Sequence, residues 1–227
     1  VAAGFERENI LALARALDGS STTRAGELSV PLELGALATA WPRLRDAASP
    51  EDLAVALRRS PWGDPGDEIA DGLADVLLLT WLRELASAAP RSRPWAVRAA
   101  ALTAVRVRLV DEAPATPRLR QLARPLVGEG WAAAEDLPAL VGTLPSAVRP
   151  LLSIETPREL WRAEARALAE VEQDAFALLR TALPGPEVVL GAVTVLSVDA
   201  WRVRAALAAA EAGGTGAVAS EVLDAVA

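Results

Sequence analysis

Three observations predict an all-α protein. Alanine, leucine and arginine, all strong helix formers, dominate the 227 residues. The β-branched residues are scattered, and apolar–polar alternation is not sustained over a strand length. Prolines and capping residues cut the chain into pieces of helix length. A hydrophobic fraction of 52 % supplies a sizeable core and excludes an intrinsically disordered chain.

Taken in order, helices are predicted over 5–17, 32–47, 51–60, 67–88, 96–110, 118–126, 132–140, 147–152, 158–183, 187–212 and 218–226. Ser49-Pro50-Glu51-Asp52 and Thr156-Pro157-Arg158-Glu159 each set a hydroxyl at the N-cap, proline at N1 and an acid at N3, which satisfies first-turn amides. Pro90, Pro94, Pro114, Pro117, Pro184 and Pro186 separate the long helices from the segments after them, and Gly213-Gly214 stops the last long one. Val76 to Leu82 is apolar apart from Thr80, so this helix is expected at the centre. The helix from Arg158 is amphipathic, with Trp161, Leu168, Val171, Ala175, Leu178 and Ala182 on one face and Arg158, Arg162 and Arg166 on another.

Composition narrows the chemistry. All 23 cations are arginine, and His, Cys, Met, Tyr and Lys are absent. That removes Ser-His-Asp and Cys-His nucleophile pairs, thiolate and imidazole metal ligands, Schiff-base lysines and the P-loop lysine. No catalytic residue, metal ligand or cofactor site is predicted. A net charge of −7 gives no global field for nucleic acid or anionic lipid. The longest uncharged apolar stretch, 188–198, is about half of what a membrane span needs. The absence of cysteine fits a reducing cytoplasm, no signal peptide is visible, and the start at Val1 reads as a trimmed N-terminus.

The cluster Glu164, Glu170, Glu172 and Asp174, interleaved with Arg162, Arg166 and Arg180, reads as a solvated, salt-bridged helix face. Residues 60–67 read as turn chemistry. The seven tryptophans, Trp41, Trp62, Trp81, Trp95, Trp131, Trp161 and Trp201, are spread along the chain as core anchors, with a binding role at Trp62 the lesser reading.

An internal period carries more information. Glu6-Arg7-Glu8-Asn9-Ile10, Thr103-Ala104-Val105-Arg106-Val107 and Asp199-Ala200-Trp201-Arg202-Val203 share an acid or hydroxyl, two variable positions, an amide or guanidinium, and a β-branched aliphatic. Their starts lie 97 and 96 residues apart. Gly26-Glu27 before Glu33-Leu34-Gly35-Ala36-Leu37 is echoed by Gly128-Glu129 before Asp136-Leu137-Pro138-Ala139-Leu140. The expected architecture is a set of pseudo-repeated helical modules: 1–95, lacking its N-terminal part; 96–190; and 191–227, the start of a third module or closing helices. Asn9, Arg106 and Arg202 are the candidates for partner or inter-helix contacts.

These motifs, with Gly26-Glu27-Leu28, Ser49 to Leu53, Ser60 to Gly63 and the closing stretch from Gly185 to Gly214, resemble the family of C-type subunits of V/A-type rotary ATPases, called d-type subunits in the eukaryotic V-ATPase. Glu6 to Ile10 matches the family's acid-x-x-Asn-aliphatic motif in full. The other copies carry Arg106 and Arg202 in place of the amide, Thr103 replaces an acid, Trp62 stands where the family has a turn tyrosine, and most of the first module would precede Val1. The resemblance implies a funnel-like helical body without an active site, a socket between the central stalk and the membrane c ring. It further implies stalk subunits and ring as partners, with no membrane span of its own, and a peripheral place on the cytoplasmic face of the membrane. The alternative is a free-standing helical adaptor or scaffold derived from the same family.

Overall fold

The computed structural model describes residues 2–19, 31–66, 69–180 and 185–211, with the backbone alone at 69–71 and 208–211. Among these residues every regular element is helical. The α-helices are α1 (Ala2–Leu17), α2 (Trp41–Leu44), α3 (Pro50–Arg58), α4 (Ile69–Ala88), α5 (Arg93–Val105), α6 (Pro117–Val127), α7 (Leu137–Thr143), α8 (Leu160–Arg180) and α9 (Pro186–Glu211). Short 3-10 turns join several of them.

The centre is the pair α4–α5, as the apolar run in α4 predicts: Val76, Leu77, Leu79 and Leu82 are all buried. Ala96 and the run from Ala100 to Val105 are buried in α5, where the small side chains of Ala96, Ala100, Ala101 and Ala104 let neighbouring backbones come close. The main apolar cluster adds Leu119, Leu122 and Leu126 of α6, Leu140 of α7, Leu160 and Ala163 of α8, and Trp131 on the 3-10 turn between α6 and α7. A second cluster unites Ile10 of α1, Leu44 of α2, Leu53 and Leu57 of α3, and Leu73 and Leu77 of α4 around Trp62. A third joins Trp95 of α5 to Ala175 and Leu178 of α8, with Leu190 and Val195 of α9 against it. Since α5 and α9 run through positions 95/96 and 190/191, helices cross both expected module limits.

Local signals explain most helix ends. Ser49 caps α3 by accepting from Asp52 N at 3.1 Å, and Thr116 caps α6 by accepting from Leu119 N at 3.2 Å. Thr156 makes no such bond. A 3-10 turn (Pro157–Glu159) forms there, and Glu159 Oε2 accepts from Glu155 N at 2.9 Å. Three predicted helices are corrected. Over 32–47 only a 3-10 turn (Gly35–Leu37) and α2 form, because Gly35 has φ +52° and a buried carboxylate engages the amides of 39–41. Over 132–140 the chain breaks where extended Asp136 caps α7, its Oδ1 accepting from Ala139 N at 2.8 Å. Over 147–152, Pro150 supplies no N–H, and two 3-10 turns replace a helix. The predicted helix over 218–226, the Gly213-Gly214 stop and the landmark Gly26-Glu27 lie outside the described residues.

Candidate functional site

The repeated motif is the place to look for function, and the structure resolves the partners of all three copies. Glu6 and Asn9 lie one turn apart on the inner face of α1, 1 % and 0 % exposed. Glu6 Oε1 accepts from the backbone N–H groups of Thr39, Ala40 and Trp41, each at 2.8 Å. Its Oε2 accepts from Thr39 Oγ1 at 2.8 Å and from the Trp62 indole at 2.9 Å. Burial by itself would raise the Glu6 pKa. The backbone amides of Trp41 and Ala40, the Trp62 indole and the Thr39 hydroxyl outweigh it and hold the carboxyl below its usual value. Asn9 matches the backbone of Leu32 in both directions, donating to its carbonyl at 2.9 Å and accepting from its N–H at 2.7 Å. One turn of α1 therefore holds both ends of the segment 32–41.

The second copy sits where α5 changes pitch. Thr103 donates back to Ala99 O at 2.9 Å, and the helix continues as a π turn (Arg106–Val110) closed by Asp111 N on Arg106 O at 2.8 Å. Arg106 is paired with Asp75 of α4 and, at 2.5 Å, with Asp111. Burial pushes Asp75 up, and Arg106 offsets that only in part; burial likewise pushes up Glu164, which faces the same guanidinium. The third copy repeats this theme. Arg202 grips Glu172 of α8 with two parallel bonds of 2.6 and 2.7 Å and reaches Asp199 at 3.3 Å. The Glu172 bonds raise the Arg202 pKa further.

Asn9, Arg106 and Arg202 are thus all engaged within the chain. Their common action is to tie the motif helix to a preceding helix or a following segment. Arg106 and Arg202 each meet an acid 31 and 30 residues upstream, so Asp75–Arg106 and Glu172–Arg202 fall at matching places in the 97- and 96-residue spacing. The first copy has a different arrangement, with its acid and amide both turned to backbone.

The acidic cluster of α8 is corrected in its partners. Arg98 of α5 takes Glu170 at 2.8 Å and Asp174 at 3.3 Å, the Trp95 indole donates to Asp174 at 2.9 Å, and Glu172 goes to Arg202. These pairs join α8 to α5 and α9, while Glu170 and Asp174 remain half exposed to solvent. Trp62 is 4 % exposed and bonded to Glu6, so its role is structural. The turn after it is held by Asp64, which accepts from Gly66 N at 3.1 Å and pairs with Arg58 at 3.2 Å. Asp75 escaped notice in the sequence, although a lone acid within the apolar run Leu73 to Leu79 is a signal for a buried ion pair.

One open cleft, about 620 Å³, lies beside the π turn, with Arg108, Glu112, Glu135, Asp136 and Glu155 along it. Glu112 has φ +51°, and Arg108 Nε is buried without a bond. The cleft is lined by four carboxylates, Glu112, Glu135, Asp136 and Glu155, and the Arg108 guanidinium. Among the described residues, no group of three or more acids stands close enough to hold a metal ion, and no helix is long and apolar enough to cross a membrane. Comparison with protein-family models, with curated proteins and with solved structures finds no match for this chain.

Proposed function

We propose that the chain is a non-catalytic coupling subunit of a V/A-type rotary ATPase, a stiff helical body between the central stalk and the c ring on the cytoplasmic face of the membrane. The observation that carries this reading is the internal bonding of the motif helices. A part that transmits torque needs rigidity more than a reactive pocket, and close packing, with the buried Glu6 and Asn9 each bonded to backbone more than once, supplies it. Glu6 and Asn9 satisfy the acid-x-x-Asn motif that carries the resemblance, each by more than one bond. The matched ties Asp75–Arg106 and Glu172–Arg202 favour pseudo-repeated modules. A composition without Lys, His or Cys suits a role without catalysis.

The adaptor reading is favoured by one feature, an exposed apolar face on α9. The deciding experiment is capture of the cognate stalk subunits and c ring by the purified chain. Binding to either supports the coupling role. A folded chain, checked by circular dichroism, that captures neither refutes it and leaves the adaptor. The coupling reading also requires that the chain alone turn over no ATP; hydrolysis that follows the chain through several columns overturns it.

A further inference from the structure

Helix α9 carries two apolar seams on opposite sides. The first faces α8: Gly191 lies so near that an added Cβ would stand 2.8 Å from Ala175 O, Val195 packs on the Trp95 cluster, Val198 is buried, and Arg202 grips Glu172. Positions 191, 195, 198 and 202 have the alternating spacing of four and three that marks a coiled-coil seam. The second seam is displaced by two residues, about 200° around the helix. It consists of Val189, Val193, Leu196, Ala200, Val203 and Leu207, again spaced four, three, four, three, four. Val189, Leu196, Val203 and Leu207 are 57 to 66 % exposed. The seam runs for about 27 Å along the helix, longer than the scattered apolar exposure of an ordinary surface.

Its flanks identify the occupant. With Val193, Ala200 and Leu207 at a positions and Val189, Leu196 and Val203 at d, Asp199 takes a g position and Arg204 the next e position. In a parallel two-stranded coil a g residue meets the partner's e residue five places on, so Asp199 of one chain meets Arg204 of an identical one, and symmetry makes the pair twice. Among the described residues Asp199 has only the 3.3 Å contact to Arg202, and Arg204 forms no ion pair. An antiparallel pairing would set e against e and g against g and lose both matches. Since α8 covers the opposite side, a second α9 docks without displacing it. We propose that α9 pairs with α9 of a second copy of this chain in a parallel, in-register coiled coil. The pairing concerns the chain outside any complex and stands apart from the coupling role.

Sedimentation equilibrium of the full chain across the micromolar range should give a species of twice the 23.7 kDa chain mass. Leu196→Glu and Val203→Glu, both at exposed positions, should each raise the dimer dissociation constant at least about tenfold while the circular dichroism spectrum stays unchanged. Arg204→Glu alone and Asp199→Arg alone place like charges opposite each other in both pairs and should weaken self-association. Mixing the two variants should restore dimer, because the mixed species has two attractive pairs. Leu207→Cys, the single thiol in a chain that has none, should cross-link to itself on mild oxidation; in an antiparallel pair these positions lie at opposite ends. A monomer throughout the range, a dimer indifferent to Leu196→Glu and Val203→Glu, or a mixture no better associated than its components would overturn the proposal.

Discussion

Replacing Glu6 by glutamine tests the most densely bonded group in the molecule. Five donors converge on its carboxylate, three backbone N–H groups on Oε1, with the Thr39 hydroxyl and the Trp62 indole on Oε2. A glutamine must keep its carbonyl at the three-amide site, since its NH2 there would face three donors. The NH2 then takes the place of Oε2, where the Thr39 hydroxyl can rotate to accept but the Trp62 N–H cannot. One buried donor is left unpaired, at about 1–3 kcal/mol, and the amide bonds lose their charge assistance, so the expected loss is about 2–4 kcal/mol. Urea unfolding followed by circular dichroism measures it. The pH dependence provides an independent check. The folded Glu6 pKa lies below its unfolded value of about 4.3, so the Glu6 contribution is fully present above that pH and is lost as pH falls through the folded value. Asp75 and Glu164, whose values are raised, act in the opposite sense, and comparing wild type with Glu6→Gln cancels them. The stability difference should therefore be largest at neutral pH and shrink below about pH 4.3. A glutamine variant within about 0.5 kcal/mol of wild type at neutral pH, the usual range for an inconsequential surface change, would refute the account of this site.

Asn9→Ala should cost about 1–3 kcal/mol and speed hydrogen exchange at the Leu32 amide, which loses its acceptor; unchanged exchange there counts against the tie. Arg202→Lys should lower stability by more than a surface change does, because an ammonium cannot reproduce the two-pronged grip on Glu172; a double-mutant cycle with Glu172→Gln should give a coupling energy of about 1 kcal/mol or more. Gly191→Ala raises helix propensity, yet its Cβ would meet Ala175 O at 2.8 Å and Leu178 Cβ at 3.2 Å. A net loss of about 1–3 kcal/mol in thermal or urea unfolding is expected, and a gain would mean that α8 and α9 separate without cost.

The sequence by itself determined the fold class, the order of the long helices and many of their ends, because helix propensity, proline and N-capping act over a few residues. Ser49 caps α3 and the apolar run of α4 is buried, as local patterning requires. It also pointed to Glu6, Asn9, Arg106 and Arg202 as members of one motif. Only the tertiary structure decided what these residues do. Glu6 meets Thr39 and Trp62 from 33 and 56 residues away, and that long-range demand on the amides of 39–41 keeps 32–47 from forming the single helix its composition favours. The charges of α8 likewise read along one helix only as a salt-bridged face, and their ties to α5 and α9 come from neighbours far along the chain. Local free-energy preferences of a fraction of a kcal/mol per residue set the helices, whereas satisfying a buried carboxylate or guanidinium is worth several times more, and the partners it finds depend on chain folding that short-range patterns do not encode.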